Sequence, residues 1–428
     1  MTRAQYILST PPFGSLVRVL TLALVLSACA YTPPPPPQTA EPAPPVAPPE
    51  PVPAGPVKIA FLAPLTGGAE LIGQDLLAAA ELALFSRPGD IMLLPRDTMG
   101  TPQGAEAAVR DAIAEGAEII VGPLFSAAAA AIGPIAAEDG LKVLAFSNDA
   151  TVARPDLFVL GFRPEEQVER VVAFARSRGL TRIAALAPDN AYGMRAMAAW
   201  RDAGPETPAN PAILPEQPPR ALAYPTEISD LSGYIRDFTR YDARLREARA
   251  ELPLDADPDT AAIEAVPFED AQAILIADGG AHLRAIAALM AFYDVRPGDV
   301  QLLGTDLWRE DRNALREPAL QGGWFASTDP LNEERFDARF RQSFGRKPHE
   351  LAGLAFDAVT LAILAAGIDR TMPTSLLTSP SGYQGVTGIF RLRPDGLTDH
   401  GLAILQVDGT RLQVIDPMPV EFRLDLTQ

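Results

Sequence analysis

The stretch Val57-Lys58-Ile59-Ala60-Phe61-Leu62-Ala63-Pro64-Leu65-Thr66-Gly67 decides the fold. Val57 to Leu62 is a mostly apolar run of strand length, the pattern of a strand covered on both faces. It breaks at proline and glycine, and Ile72 to Phe85, rich in Ala and Leu, follows as a helix. The alternation then repeats. Ile91 to Pro95 is a second strand. Thr101-Pro102 opens a helix, threonine as cap and proline in first position, and Gly116 closes it. Ile119 to Val121, a helix from Ala127 to Asp139, and Val143 to Phe146 complete the series. Repeated strand–helix units with apolar strands imply a parallel sheet with helices on both faces.

A second series follows. A helix opens at Pro164-Glu165-Glu166 with Val168, Val171, Val172 and Ala175 on one face. Then come a strand at Ile183 to Ala187, a helix at Ala191 to Ala203 and a long charged helix at Ile228 to Ala250. A strand at Ala273 to Ala277, a helix at His282 to Phe292 and a strand at Val300 to Leu303 complete it. Two such series in 428 residues predict an α/β protein with two doubly wound, parallel-sheet lobes. Helices at Phe336 to Phe344 and Leu351 to Ala366 come next. Three short strands end the chain, with Asp408-Gly409 as a hairpin turn.

The amino terminus reads differently. Residues 1–28 form a signal peptide: Arg3 and Arg18 supply charge, and Val19 to Leu26 is an apolar run far short of the roughly 20 residues needed to span a bilayer. Leu26-Ser27-Ala28-Cys29 resembles a bacterial lipobox, which makes Cys29 the lipidated first residue of the mature chain. Cys29 is the sole cysteine, so no internal disulfide can form. Residues 29–56 form a proline-rich tether. Twenty-five residues of polyproline II from Thr32 to Pro56 would reach about 75 Å. Removing residues 1–28 takes away two arginines and no acid, lowering the net charge from −18 to −20. A chain this acidic repels nucleic acid and anionic headgroups, so attachment to a membrane must come from lipid.

Catalytic signatures are missing. His282, His349 and His400 stand far apart with no metal-ligand spacing, and neither a Gly-x-Ser-x-Gly elbow nor a phosphate loop is present. An enzyme, a metal site or a cofactor is therefore not expected. The candidate residues sit where strands end and helices begin, the position at which open α/β sheets bind ligands. Thr66 lies beside Gly67-Gly68 after the first strand. Ser126, after Gly122-Pro123-Leu124-Phe125, serves equally as a helix cap or, with free helix amides, as a carboxylate site. Ser147 and Asp149 occupy the matching place after the fourth strand. In the second series Tyr192 could close over a ligand and Asp306 bind an ammonium group. Capping by Asp189 or Asn190 and packing by Trp308 are the plainer alternatives.

Taken together, the segments Phe61 to Gly67, Gly122 to Ser126, Ala145 to Asp149 and Asn190 to Gly193 resemble type I periplasmic binding proteins of the leucine/isoleucine/valine class. Within that superfamily the chain looks most like the lipoproteins called penicillin-binding protein activators. The lipobox, the tether, Leu303 to Trp308, Gly322 to Phe325, Leu351 to Ala358 and the Tyr241 to Arg244 segment carry that likeness. The fold implies three crossings that make a hinge, with one lobe at about 57–160 and 327–380 and the other at about 161–326 and 381–428. It also implies that hydroxyls matching Ser126 and Ser147 hold a ligand carboxylate and an acid near Asp306 its ammonium.

Two functions are compatible with this reading. The first is a periplasmic lipoprotein that docks on a peptidoglycan synthase and activates it, with the insertions at Pro205 to Pro225 and Leu252 to Pro267 as docking surfaces. The second is an amino-acid receptor for the permease of an ABC importer. Tether and insertions favour the first. Ala30 after Cys29 leans, by family analogy, toward the outer membrane.

Overall fold

The computed structural model describes residues 55–87, 89–204, 220–252 and 264–422. The leader, Cys29 and the tether up to residue 54 lie outside them, as do residues 205–219 and 253–263 of the two expected insertions.

The first lobe begins with β1 (Val57–Ala63), α1 (Glu70–Ser86), β2 (Ile91–Asp97), α2 (Pro102–Ala114), β3 (Ile119–Val121), α3 (Ser126–Glu138), β4 (Lys142–Ala145) and β5 (Leu157–Val159). The strands form a parallel sheet in the order β2-β1-β3-β4-β5. Ile59, Phe61 and Val121 point to one face and Ala60, Leu62 and Ile120 to the other, and all six are fully buried. That alternation explains why Val57 to Leu62 reads as apolar almost throughout.

The chain then crosses to α4 (Pro164–Ser177), β6 (Ile183–Pro188), α5 (Ala191–Asp202), β7 (Ala221–Tyr224), α6 (Ser232–Phe238), α7 (Tyr241–Ala250), β8 (Ala273–Ile276), α8 (Gly280–Phe292), β9 (Gln301–Gly304) and β10 (Trp324–Ser327). It returns to the first lobe for α9 (Pro330–Phe344), α10 (Ala352–Ile368) and α11 (Thr374–Leu377). A small antiparallel sheet follows, made of β11 (Tyr383–Gln384), β12 (Ile389–Leu392) and β13 (Thr398–His400). The chain ends in the second lobe as the hairpin β14 (Ala403–Asp408) and β15 (Arg411–Asp416). The second sheet runs β15-β14-β10-β9-β8-β6-β7, parallel except for that hairpin. α4 and α5 cover one of its faces, α6 and α8 the other.

Two details differ from the sequence reading. The single helix expected over Ile228 to Ala250 is two, α6 and α7, because Arg240 sits in the left-handed region at φ 52° and turns the chain between them. The division after residue 380 also shifts: Phe390 and Leu392 of β12 pack into the first core, beside α10.

The small sheet is tied to α10 through a buried acid. Asp357 accepts the Val386 amide (2.7 Å), the Thr387 amide (2.9 Å) and the Thr387 hydroxyl (2.6 Å). Burial pushes its carboxyl up to about 6, against the downward pull of these hydrogen bonds. The native chain therefore holds this proton more tightly than the unfolded chain, where an aspartate titrates near 4. The stabilising contribution is fully present below about pH 4 and is lost as pH rises through about 6. Urea denaturation of the wild type and Asp357→Asn should show it: between pH 4 and pH 7 the wild type should lose about 2–3 kcal/mol relative to the variant.

Candidate functional site

The carboxyl ends of the two sheets face one another across a cavity of about 370 Å³. On the first lobe, its wall is built from the loop after β3 with Ser126, the loop after β4 with Ser147, and Glu350 ahead of α10. On the second, it is built from Gln167, Tyr192 and the segment after β9 with Asp306 and Glu310. Phe125, Phe146 and Phe162 add apolar surface. Helices can start this close to the strand ends because two glycines allow it. A Cβ on Gly73 in α1 or on Gly193 in α5 would collide with the backbone carbonyl of Pro64 or Pro188.

Each polar group has a definable state. Ser126 is the first residue of α3, and that helix has no side-chain cap, so the hydroxyl is not consumed as one. The first-turn amides of α3 lack intrahelical acceptors, as in any helix, and sit beside it. Ser147 is buried and accepts the Asp149 amide (3.1 Å), which leaves its own proton to donate. Opposite, the Asp306 amide donates to Gln167 Oε1 (2.8 Å), and the Tyr192 hydroxyl to the same oxygen (3.4 Å). Burial pushes the Tyr192 phenol well above its ordinary value, so it stays neutral. The Asp306 side chain is about 34% exposed, yet its Oδ1 is buried without a hydrogen-bond partner, and Arg309 Nη1 stands 3.7 Å away. Burial pushes this carboxyl up, the Arg309 charge and the Ser327 hydroxyl oppose, and Glu333 and Glu350 add to the rise. Arg309 itself is engaged with Glu333 and with the hydroxyls of Ser327 (3.0 Å) and Thr328 (3.2 Å) at the second crossing.

Of the six residues singled out in the sequence, Ser126, Ser147, Tyr192 and Asp306 line the cavity together. Thr66 does not: it is exposed and donates to Asp97 Oδ2 (2.6 Å). Burial opposes ionisation of Asp97, but hydrogen bonds from Thr66, Met99 and Leu65 outweigh it and hold that carboxyl below its usual range. Asp149 caps the turn at Ala150–Val152 by accepting the Thr151 amide (3.0 Å), and borders a neighbouring depression rather than the cavity. Asn190 caps α5 through the Gly193 amide (2.8 Å), and Trp308 is fully buried, so for these the plainer readings hold. Gln167, Glu310 and Glu350 were not foreseen. Gln167 sits within a helix and the two glutamates in irregular chain, with no spacing to mark them.

The hinge is built from buried polar contacts. Glu166 accepts the Arg163 amide (2.8 Å) and the His400 amide (3.2 Å), joining the first and third crossings. Arg163 Nη2 reaches the Thr398 carbonyl (3.1 Å), and Phe162 packs on the His400 ring with centroids 4.5 Å apart. At the cleft mouth, Arg195 of α5 pairs with Glu165 (2.7 Å) and donates to the Asn148 carbonyl of the first lobe (2.6 Å).

A family model described as periplasmic binding protein matches residues 56–411. The chain belongs to the periplasmic binding protein family. No curated protein sequence matches it. Among solved structures, a Rhodospirillum rubrum protein assigned to branched-chain amino acid ABC transport is similar at a TM-score of 0.67 and 19% identity, over 84% of this chain and 100% of that one. LivJ, the branched-chain amino acid transporter substrate-binding protein of Streptococcus pneumoniae in complex with isoleucine, scores 0.54 at 16% identity, covering 85% and 100%. An ABC-transporter solute-binding protein of R. palustris in complex with benzoate scores 0.56 at 15% identity, covering 87% and 98%. Family and fold are those of non-catalytic binding proteins. Among the described residues no group of three or more His, Cys, Asp or Glu is arranged to hold a metal, and no helix is long and apolar enough to cross a membrane.

These findings overturn the likeness to penicillin-binding protein activators, and with it peptidoglycan synthesis as the role and a peptidoglycan synthase as partner. Three of the segments that suggested it, Leu303 to Trp308, Gly322 to Phe325 and Leu351 to Ala358, are packing elements of this periplasmic binding protein, and the lipobox and the tether up to residue 54 lie outside the described residues. Gly304 and Gly323 make room for the Trp308 ring, and Leu351 to Ala358 begin the buried helix α10. Such residues report the fold rather than a docking partner.

Arg195→Ala should remove the bridge across the cleft mouth. A charge-assisted hydrogen bond of about 1.5–3 kcal/mol is then absent from the bridged state, and its ratio to more open states should fall by roughly tenfold or more. Small-angle scattering of the ligand-free protein should report a larger radius of gyration for the variant.

Proposed function

We propose that this chain is the extracytoplasmic receptor of an ABC importer and takes a small amino-acid-like solute into the interlobe cleft. One observation supports the reading: a single cavity brings hydrogen-bond donors of one lobe opposite a half-buried acid of the other. Ser126, Ser147 and the first-turn amides of α3 offer hydrogen-bond donors on one side, and Asp306 offers a carboxylate with an unsatisfied buried oxygen on the other. A ligand carboxylate fits the first and a ligand ammonium the second. The volume lies within the usual range for small-molecule sites, roughly 300–1,000 Å³. Similar proteins that hold isoleucine or benzoate support a carboxylate ligand.

In this reading the partner is an importer permease. Ligand binding shifts the hinge toward closure because the ligand touches both walls only when they approach. Lipidation at Cys29, with Ala30 favouring the outer membrane, belongs to the same proposal. The proline tether would let the body range about 75 Å from its anchor. Labelling cells with palmitate, and repeating it with Cys29→Ala, tests the anchor; label on the variant would refute it.

The ligand site is tested by calorimetric titration with amino acids. A bound solute at a hundredfold excess over Kd should stabilise the fold by about 2.7 kcal/mol. Asp306→Asn should weaken binding roughly 10- to 100-fold, the loss of one charge-assisted hydrogen bond. Unchanged affinity in that variant would remove Asp306 from the site.

A further inference from the structure

The receptor reading needs one acid for one ammonium group, and the cavity holds more. Asp306 and Glu310 from the second lobe and Glu350 from the first all line it, and among the described residues no lysine, arginine or histidine does. Two arginines around the cleft are already committed. Arg309 is paired with Glu333 and stands 3.7 Å from Asp306, whose charge it partly offsets, and Arg195 is engaged with Glu165 and the Asn148 carbonyl. A neutral zwitterion such as leucine would satisfy the α3 amides and Asp306 and leave Glu310 and Glu350 facing each other across the closing cleft. An aromatic carboxylate would bring a further negative charge to these acids.

We infer that the solute is an α-amino acid carrying a second, cationic group, an ammonium or guanidinium at the end of its side chain, which Glu310 and Glu350 receive from opposite lobes. The inference rests on the receptor reading of the same cavity and names its ligand class. The two glutamates are placed for the task. Glu310 follows the turn that begins at Asp306, and Glu350 immediately precedes Leu351, which lines the same cavity. Both are exposed, so each keeps its charge available to a ligand entering from solvent. Their mutual influence shows in Glu310, whose carboxyl is pushed up by burial and then by the negative charges of Glu350, Asp306 and Asp278. A cation between the lobes removes that repulsion at the moment of closure, so charge selectivity and hinge closure become one event. The cavity of about 370 Å³ also has room for a long basic side chain.

The experiment is calorimetric titration of the full chain with L-arginine, L-lysine, L-leucine and benzoate, at low and at high salt. Arginine or lysine should bind at least tenfold more tightly than leucine, and salt should weaken that preference. Glu310→Gln and Glu350→Gln, both at exposed positions where the fold is not at risk, should each narrow the arginine-to-leucine affinity ratio several-fold. The double variant should narrow it tenfold or more. Tighter binding of leucine or benzoate than of either basic amino acid overturns the charge assignment and leaves the receptor reading standing. A ratio that neither glutamate changes also overturns it. Binding of none of the four overturns both.

Discussion

Glu166 is the point on which the arrangement of the molecule turns. Its carboxylate accepts backbone amides from Arg163 and His400, and so fastens two of the three strands of chain that pass between the lobes. Arg309 and Glu333 hold the remaining, second crossing through the hydroxyls of Ser327 and Thr328. A buried charge is costly unless hydrogen-bonded, and such groups specify one arrangement because the alternatives leave them unpaired. With the crossings fixed, the carboxyl ends of both sheets must face the same space. The cavity follows from that constraint.

The first lobe shows how the constraint reaches the site. Its sheet is buried on both faces, so each strand is apolar along its whole length and polar chemistry is displaced to the loops at the strand ends. α3 begins after a four-residue loop from β3, and its first-turn amides arrive beside Ser126 without any charged residue. On the second lobe, Trp308 fills the space between Gly304 and Gly323 and so anchors the turn that carries Asp306. The groups that would meet a ligand are held by packing that never touches it.

The acidity of the chain has a local meaning as well as a global one. A net charge of −18 spread over a surface favours solubility and repels anionic partners. In the cleft the same sign gathers at Asp306, Glu310 and Glu350.

Alternating apolar strands and capped helices were legible in the chain alone because burial and capping are local in sequence: Val57 to Leu62, Thr101-Pro102 and Pro164-Glu165-Glu166 each announce their element. Ser126, Ser147, Tyr192 and Asp306 were legible for a related reason, since α/β sheets place ligands where strands end. Thr66 and Asp149 occupy the same kind of position yet turn aside, because Asp97 and Thr151 offer them nearer partners. The family was legible too, but the subfamily drawn in part from Leu303 to Trp308 and Leu351 to Ala358 was not, since in this chain those residues serve core packing. Gln167, Glu310 and Glu350 come from separate elements, and only the hinge geometry brings them to one cavity. Residue types and their periodicity determined the layers, whereas three-dimensional closure decided which charges meet, because electrostatic interaction depends on distance in space and not on separation along the chain.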